Sequence, residues 1–143
     1  MIVATALMCL SLNLYHEARG EPVLGRYAVA MVTLNRAQQD QDRVCKEVFK
    51  SKQFSWTGGV QKTAAGWKLP PHLKPKTDDP IEAHAWQTAK TIAKVSLEGR
   101  MHDFTQGSDH YHATYVSPGW ARVMEPVKRI GQHIFYVQKV SQR

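Results

Sequence analysis

No apolar run in this chain is long enough to cross a bilayer. The longest, from Ile2 to Leu14, is interrupted by Thr5, Ser11 and Asn13 and falls short of the roughly 20 residues that a spanning helix needs. No positive residue precedes it and no small-residue cleavage site ends it, so it reads as a first core helix and not as an export signal. Repeats and low-complexity tracts are absent, which excludes solenoid and linker-like architectures. There is no phosphate-cradling Gly-rich loop, no GxSxG and no HExxH, so the usual signatures of nucleotide binding, serine hydrolysis and zinc proteolysis are missing. Cysteine is scarce: Cys9 and Cys45 stand alone. Nothing in their spacing demands a bridge, so buried free thiols are expected, with a disulfide as the alternative. Acidic residues are few, 12 against 19 Lys and Arg, and the net charge of +7 favours an anionic partner such as nucleic acid, an acidic membrane surface or a wall polymer. The basic residues are scattered, with one loose cluster at Lys62, Lys68, Lys74 and Lys76 and no basic helix. Nucleic acid is therefore not expected as the partner.

What is present suggests one folded domain over residues 1–143. Helical patterns cover about Ile2 to Ala18 and Pro22 to Gln38. Gly20 suits a left-handed helix end, and Pro22 suits the first position of the next helix. A short helical piece follows at Val44 to Lys50. The Pro-, Gly- and Lys-rich stretch from Thr57 to Asp79 shows no periodicity and reads as a long irregular loop. Asp79, Pro80 and Glu82 then form a clear helix start, and Trp86, Ala89, Ala93 and Leu97 form its stripe up to Gly99. Thr105-Gln106-Gly107 reads as a turn. Tyr111 to Val116 and Ile134 to Val140 read as strands, separated by the turn Ser117-Pro118-Gly119. The expected class is α+β, a mostly helical lobe followed by a small β-containing lobe, with a cleft between them.

Glu17 is the main candidate for chemistry. Val3, Leu7, Leu10 and Leu14 are spaced by four, three and four residues, which puts them on one helical stripe. Glu17 follows Leu14 by three and continues that stripe near the helix end. A carboxyl group held at a buried edge is penalised in its charged form, so its pKa rises. A carboxylic acid that stays protonated near neutral pH is what glycosidic bond cleavage requires. The competing reading is a structural Glu paired with Arg19 or another arginine. Glu21, just past Gly20, suits a structural role at the helix corner.

Other segments carry more polar or aromatic groups than a core needs. In an extended Gln53-Phe54-Ser55-Trp56, Gln53 and Ser55 would share one face as a sugar-binding wall, with Phe54 and Trp56 on the other. Trp56, Trp67 and Trp120 adjoin Gly- or Pro-rich stretches, where a ring can stack on a sugar; core packing is the alternative for each. His110 and His112 share one face of a strand and Tyr111 takes the other. Two such histidines can bind zinc with His16, His84 or Asp109, but the spacing matches no strong zinc motif. No metal and no cofactor are expected. His133 is expected to be buried and hydrogen-bonded.

Four motifs carry a family resemblance. They are Tyr15-His16-Glu17-Ala18-Arg19-Gly20-Glu21; the run from Ala28 to Arg36 ending in Leu34-Asn35-Arg36; Val44-Cys45 with Gln53-Phe54-Ser55; and Thr105, Gly107, Pro118 and Trp120 with the run from Ile130 to Tyr136. Their order and spread over nearly the whole chain resemble the cell-wall hydrolases related to spore cortex-lytic enzymes. The resemblance implies a lysozyme-like cleft and cleavage of the peptidoglycan glycan strand between N-acetylmuramic acid and N-acetylglucosamine. It further implies lytic transglycosylation, in which Glu17 is the catalytic acid and the product carries a 1,6-anhydromuramic end. One carboxyl can protonate the leaving oxygen and then receive the proton of the sugar's 6-hydroxyl.

The expected sugar contacts are Gln53, Ser55, Trp56, Thr105, Gly107, Tyr111, His112 and Trp120. The polar stretch Ser108-Asp109-His110-Tyr111 departs from the family pattern, so Asp103 or Asp109 could supply a second carboxylate for a hydrolytic muramidase. A metal-dependent amidase and a non-catalytic wall-binding module are the remaining alternatives. The partner is then the glycan strand, not nucleic acid, and the chain carries no integral membrane segment. A monomer acting in the bacterial wall or periplasm is expected, and a compact basic catalytic unit without a visible leader fits a phage endolysin released by a holin.

Overall fold

The computed structural model describes residues 1–50 and 54–138. Helix α1 (Ala6–Glu17) runs through the middle of the molecule. Thr5 caps it, its side chain accepting from the Met8 N–H at 3.1 Å. Residues Cys9 to Tyr15 are all buried, so the helix has no solvent face along most of its length. The single stripe expected from the sequence is accordingly wrong in detail. Leu7 is 40% exposed, and Val3 lies in a separate two-residue strand, β1 (Ile2–Val3). Three helices surround α1: α2 (Val23–Arg36), α3 (Val44–Val48) and α4 (Pro80–Leu97). A helix wrapped on every side needs apolar or internally satisfied residues all round. Leu10, Leu12 and Leu14 supply the first kind, and Asn13 and Ser11 are the buried polar exceptions. Each such leucine contributes on the order of 1.5–3 kcal/mol by leaving water.

Cys9 and Cys45 form a disulfide between α1 and α3, which corrects the expectation of free thiols. The packing of the two helices brings their Cα atoms to 5.2 Å, within bridging range. The sequence separation alone could not show this.

The corner between α1 and α2 also differs slightly from expectation. Gly20 is not left-handed, and α1 closes at Ala18, whose N–H donates to the Leu14 carbonyl. Pro22 precedes α2 as its cap instead of opening it, so the apolar face shifts and Leu24 is 58% exposed. Helix α4 starts as expected: Asp79 accepts from the N–H groups of Ile81 and Glu82. Glu82 does not return a capping-box bond. It receives the Tyr15 hydroxyl and a two-pronged hydrogen bond from Arg19 at 2.7 Å, which ties the end of α1 to the start of α4.

The stretch expected to be an irregular loop contains a hairpin, β2 (Gln61–Thr63) and β3 (Gly66–Lys68), and β3 pairs antiparallel with β1. Strands of three residues with no apolar alternation leave no periodic trace. Gly66 marks the contact: its φ is 138°, and a Cβ there would lie 2.6 Å from the Val3 carbonyl oxygen. The second sheet has the order β4 (His110–Ala113), β6 (His133–Val137), β5 (Glu125–Ile130), all antiparallel. β4 is shorter than expected and stops at Ala113, and the far end of the last expected strand, 139–140, lies outside the described residues. β5 was missed, since Pro126 and the charges at Glu125, Lys128 and Arg129 hide its pairing. The β4–β6–β5 sheet lies across the end of α1, and the cleft opens between them.

Candidate active site at the end of the central helix

Glu17 is the last residue of α1 and is half-buried. Arg19, one expected partner of a structural Glu17, is engaged by Glu82 and not by Glu17. Glu17 Oε1 instead accepts a hydrogen bond from the Tyr111 hydroxyl at 3.0 Å. Burial raises the Glu17 pKa, and the Tyr111 bond, which favours the carboxylate, only partly offsets this. Tyr111 remains a donor, since burial and the facing Glu17 charge push its own pKa well up.

Glu17 faces a cleft of about 530 Å³. Ser55, Tyr111, His112 and Trp120 line it with Glu17, as expected. Among the described residues, Glu17 is the sole carboxylate in that lining. Gln53 lies outside the described residues.

Three expected contacts lie elsewhere. Residues Ser55–Thr57 form a 3-10 turn, so the extended alternation does not hold. Phe54 and Ser55 both border the cleft, while Trp56 turns inward. The Trp56 indole N–H donates to Asn13 Oδ1 at 2.9 Å and its ring stacks on His16 at 4.5 Å. Asn13 in turn donates to Thr33, so this ring satisfies a buried amide in the heart of α1. Thr105 is fully buried, and Gly107 is in an exposed left-handed turn. Both serve Asp103, which accepts from the Thr105 N–H and hydroxyl, the Gly107 N–H and the Asn35 amide. Burial acts to raise the Asp103 pKa, but these hydrogen bonds together hold it below the usual carboxylate range. Asp109 pairs with His110 Nδ1 at 3.0 Å. Neither aspartate lines the cleft.

His110 and His112 are committed within the protein. His112 Nδ1 lies 2.7 Å from the Ala113 carbonyl, which can only accept, so the neutral ring carries its proton there. Its Nε2 then accepts from the Tyr136 hydroxyl at 2.8 Å. His110 and His112 both pack against Trp120, at 5.1 and 5.6 Å between ring centres. Among the described residues, no group of His, Cys, Asp and Glu is arranged to hold a metal ion. His133 departs from its expected hydrogen-bonded burial, since its buried Nδ1 makes no hydrogen bond and its ring borders the cleft.

Sequence reasoning missed Arg36, Tyr115, Val116 and His133 as cleft residues. The Leu34-Asn35-Arg36 signature was the available signal for Arg36. Asn35 donates to the Ser108 carbonyl at 2.9 Å and Arg36 to that of Asp109 at 2.9 Å, so the end of α2 holds the 103–109 loop that leads into β4.

The description of the cell wall hydrolase family matches residues 20–136 of the chain. The chain belongs to this family. Glu17 lies just ahead of the matched stretch. As a cell wall hydrolase family member, the chain is 32% identical over 124 residues to the spore cortex-lytic enzyme of Halalkalibacterium halodurans. That match covers 85% of the chain but 31% of the relative, so the chain spans about a third of that enzyme's length. Two solved structures share the fold. The catalytic domain of the germination-specific lytic transglycosylase SleB from Bacillus anthracis superposes with a TM-score of 0.62 at 23% identity, covering 92% of this chain and 93% of that one. The catalytic domain of the Bacillus cereus SleB protein gives 0.61 at 22% identity, covering 92% and 89%. The family member described here therefore has the lysozyme-like α+β fold that its motifs implied.

Proposed function

We propose that this cell wall hydrolase family member cuts the peptidoglycan glycan strand between N-acetylmuramic acid and N-acetylglucosamine as a lytic transglycosylase, with Glu17 as the general acid. The observation that carries the proposal is the Glu17 carboxyl itself. It is fixed at the end of a buried helix, its pKa raised by burial, and it lines a cleft beside the Tyr111 donor. Glu17 gives its proton to the leaving O4 as the bond to the muramyl C1 breaks. The muramyl 6-oxygen then bonds to C1 and closes the 1,6-anhydro ring as its proton passes to the Glu17 carboxylate, which is thereby restored as the acid.

Two features favour ring closure over hydrolysis. Hydrolytic glycosidases ordinarily use a pair of carboxylates about 5–9.5 Å apart, and the cleft lining holds Glu17 alone among the described residues. Asp103 and Asp109 are occupied elsewhere. The name of the Bacillus anthracis relative points the same way. Ser55, Tyr111, His112 and Trp120 are the proposed sugar contacts, joined by Tyr115, which is 83% exposed at the cleft rim. Gln53, next to the lining residue Phe54, stays in the proposed set. Trp56, Thr105 and Gly107 are reassigned to support.

Mass spectrometry of the muropeptides released from purified sacculi tests the proposal. Anhydro ends, lighter by one water than reducing ends, are expected with the wild type and not with Glu17→Gln. Reducing ends would establish the muramidase alternative, free stem peptides an amidase, and intact sacculi a binding module. Dialysis against a chelator is expected to leave the rate unchanged. We extend the proposal to host lysis by a phage: coexpression with a holin should clear a culture that expression of the chain alone leaves intact.

A further inference from the structure

A second cavity, of about 570 Å³, adjoins the cleft that Glu17 faces. His112 and Val116 line both, so the two spaces meet along these side chains. The segment after β4 builds the boundary. Its 3-10 turn, Gly119–Arg122, turns successive side chains by about 120°. Trp120 therefore lines the cleft, while Ala121 and Arg122 line the second cavity. The Ala121 N–H donates to the Pro118 carbonyl at 3.1 Å. The Trp120 ring lies 5.1 Å from that of His110, 5.6 Å from His112 and 5.2 Å from Tyr136. The turn is thus pinned to the small sheet, and Arg122 is held at a set place beside the cleft.

The polar groups of the second cavity are unevenly committed. The Tyr136 hydroxyl donates to His112 Nε2 at 2.8 Å, and the Thr114 hydroxyl donates to Gln132 Oε1 at 2.8 Å. Ser117 and the Arg122 guanidinium remain. Among the described residues, Arg122 is in no ion pair, and no Asp or Glu lines the cavity. Val116, Pro118, Ala121 and Ile134 make its walls apolar. A space built for sugar hydroxyls needs acceptors as well as donors, and this lining has few to offer. One guanidinium between apolar walls suits a carboxylate on a short methyl-bearing chain, since the planar fork of arginine matches a carboxylate with two parallel hydrogen bonds.

We propose that this cavity is a subsite for the acidic peptide stem of the muramyl residue, with Arg122 as the residue that selects strands still carrying it. The inference rests on the reading of the glycan strand as the substrate. A muramyl sugar differs from its neighbour by a lactyl ether that continues into a peptide bearing carboxylates. A lactyl group and two residues span roughly 10 Å when extended, enough to leave the cleft over Val116 and enter the next cavity. Methyl groups of the stem would lie against Pro118, Ala121 and Ile134, and a stem carboxylate would meet Arg122. Arg122 takes no part in bond breaking; it sets which strands are held.

The test is binding to soluble glycan strands freed of secondary wall polymers, measured in the cold with a Glu17→Gln protein so that the strands stay whole. The strands carry intact stem peptides, stem peptides with amidated carboxylates, or no peptide after amidase treatment. Intact stems should be held about tenfold more tightly than either other form, the size of a hydrogen bond to a charged group at a wet site. Adding Arg122→Gln should bring all three to one affinity and leave the melting temperature unchanged, since Arg122 is exposed. Lys94→Gln on α4 removes the same charge outside both linings and should keep the preference. The proposal is overturned by the absence of a preference for intact stems, by a preference that survives Arg122→Gln, or by an equal loss in Lys94→Gln. A preference that survives amidation overturns it as well, and that arm leaves Arg122 in place. The wild-type products test the reaction separately. Reducing ends sink the transglycosylase reading without touching the affinity difference, so the two failures are distinct.

Discussion

Replacing Tyr111 with phenylalanine removes one oxygen and tests how the protein sets its acid. The hydroxyl donates to Glu17 Oε1 at 3.0 Å and favours the carboxylate, opposing the larger effect of burial. A hydrogen bond to a charged group contributes about 1.5–3 kcal/mol, and one pKa unit corresponds to 1.36 kcal/mol. Glu17 is open to the cleft on one side, so the lower end applies, and Tyr111→Phe should raise its pKa by about one unit. Activity needs the protonated acid. The basic limb of the kcat profile should therefore move to higher pH by that amount, an opposite response to the usual loss of function on the alkaline side. Stability should follow the same group. Because the folded-state pKa of Glu17 is raised, the stability it contributes is fully present below the ordinary carboxyl pKa and is lost as pH rises through the raised value. The variant loses more, so the gap between wild-type and variant melting temperatures should widen from acid to alkaline pH. A basic limb that stays in place or moves to lower pH would refute the reasoning, as would a melting gap that closes with rising pH.

Glu17→Gln should melt like the wild type and lose about 10²–10⁴-fold in sacculus clearing; a folded variant with near-normal clearing would remove Glu17 from the chemistry. Opening the Cys9–Cys45 bridge, which closes 36 residues, should cost about 3–4 kcal/mol and roughly 10 °C of melting temperature, and a curve indifferent to reductant would show that the bridge adds no stability. Tyr115→Ala should weaken the retention of a Glu17→Gln protein on sacculi while Tyr115→Trp restores it, since an exposed ring at a cleft rim stacks and does not pack; equal retention in all three would make the ring incidental. The charge of +7 should make sacculus pelleting weaken as salt shortens the Debye length to about 8 Å and below, and salt-independent pelleting would mean that sugar contacts alone hold the protein.

The helical part of the fold was legible because its signals are local. The Asp79 cap with Pro80 and the spacing of the helix α4 stripe each depend on a few adjacent residues. The place of Glu17 at the end of α1 was legible for the same reason, although the stripe that pointed to it was only half right: Leu10 and Leu14 are buried, Leu7 is not. What was lost is whatever distant partners decide. The Cys9–Cys45 bridge, the pairing of β1 with β3, and β5 with its proline all require knowing which segments meet. The site shows the same division. Ser55, Tyr111, His112 and Trp120 lie at the cleft as their motifs implied. Thr105 and Gly107 were misread because a motif marks a position as special without saying whether it serves a sugar or, as here, Asp103. Trp56 was misread because the claim of Asn13 on its N–H comes from 43 residues away.

Glu17, the proposed acid, sits on α1, which touches α2, α3 and α4, whereas Tyr115, Val116 and Trp120 sit on the segment that follows β4 and leads to β5. The division separates what can drift from what cannot. A shift of α1 would disturb the whole interior, so the proton donor is tied to the same constraint as folding itself, and its position is not free to be retuned piecemeal. The outer segment packs through Trp120 on His110, His112 and Tyr136 of the small sheet and can be exchanged without reopening the helical interior. Transplanting residues 114–124 from a distant relative should therefore change which glycan decorations are accepted while leaving the reaction and its pH optimum where they were.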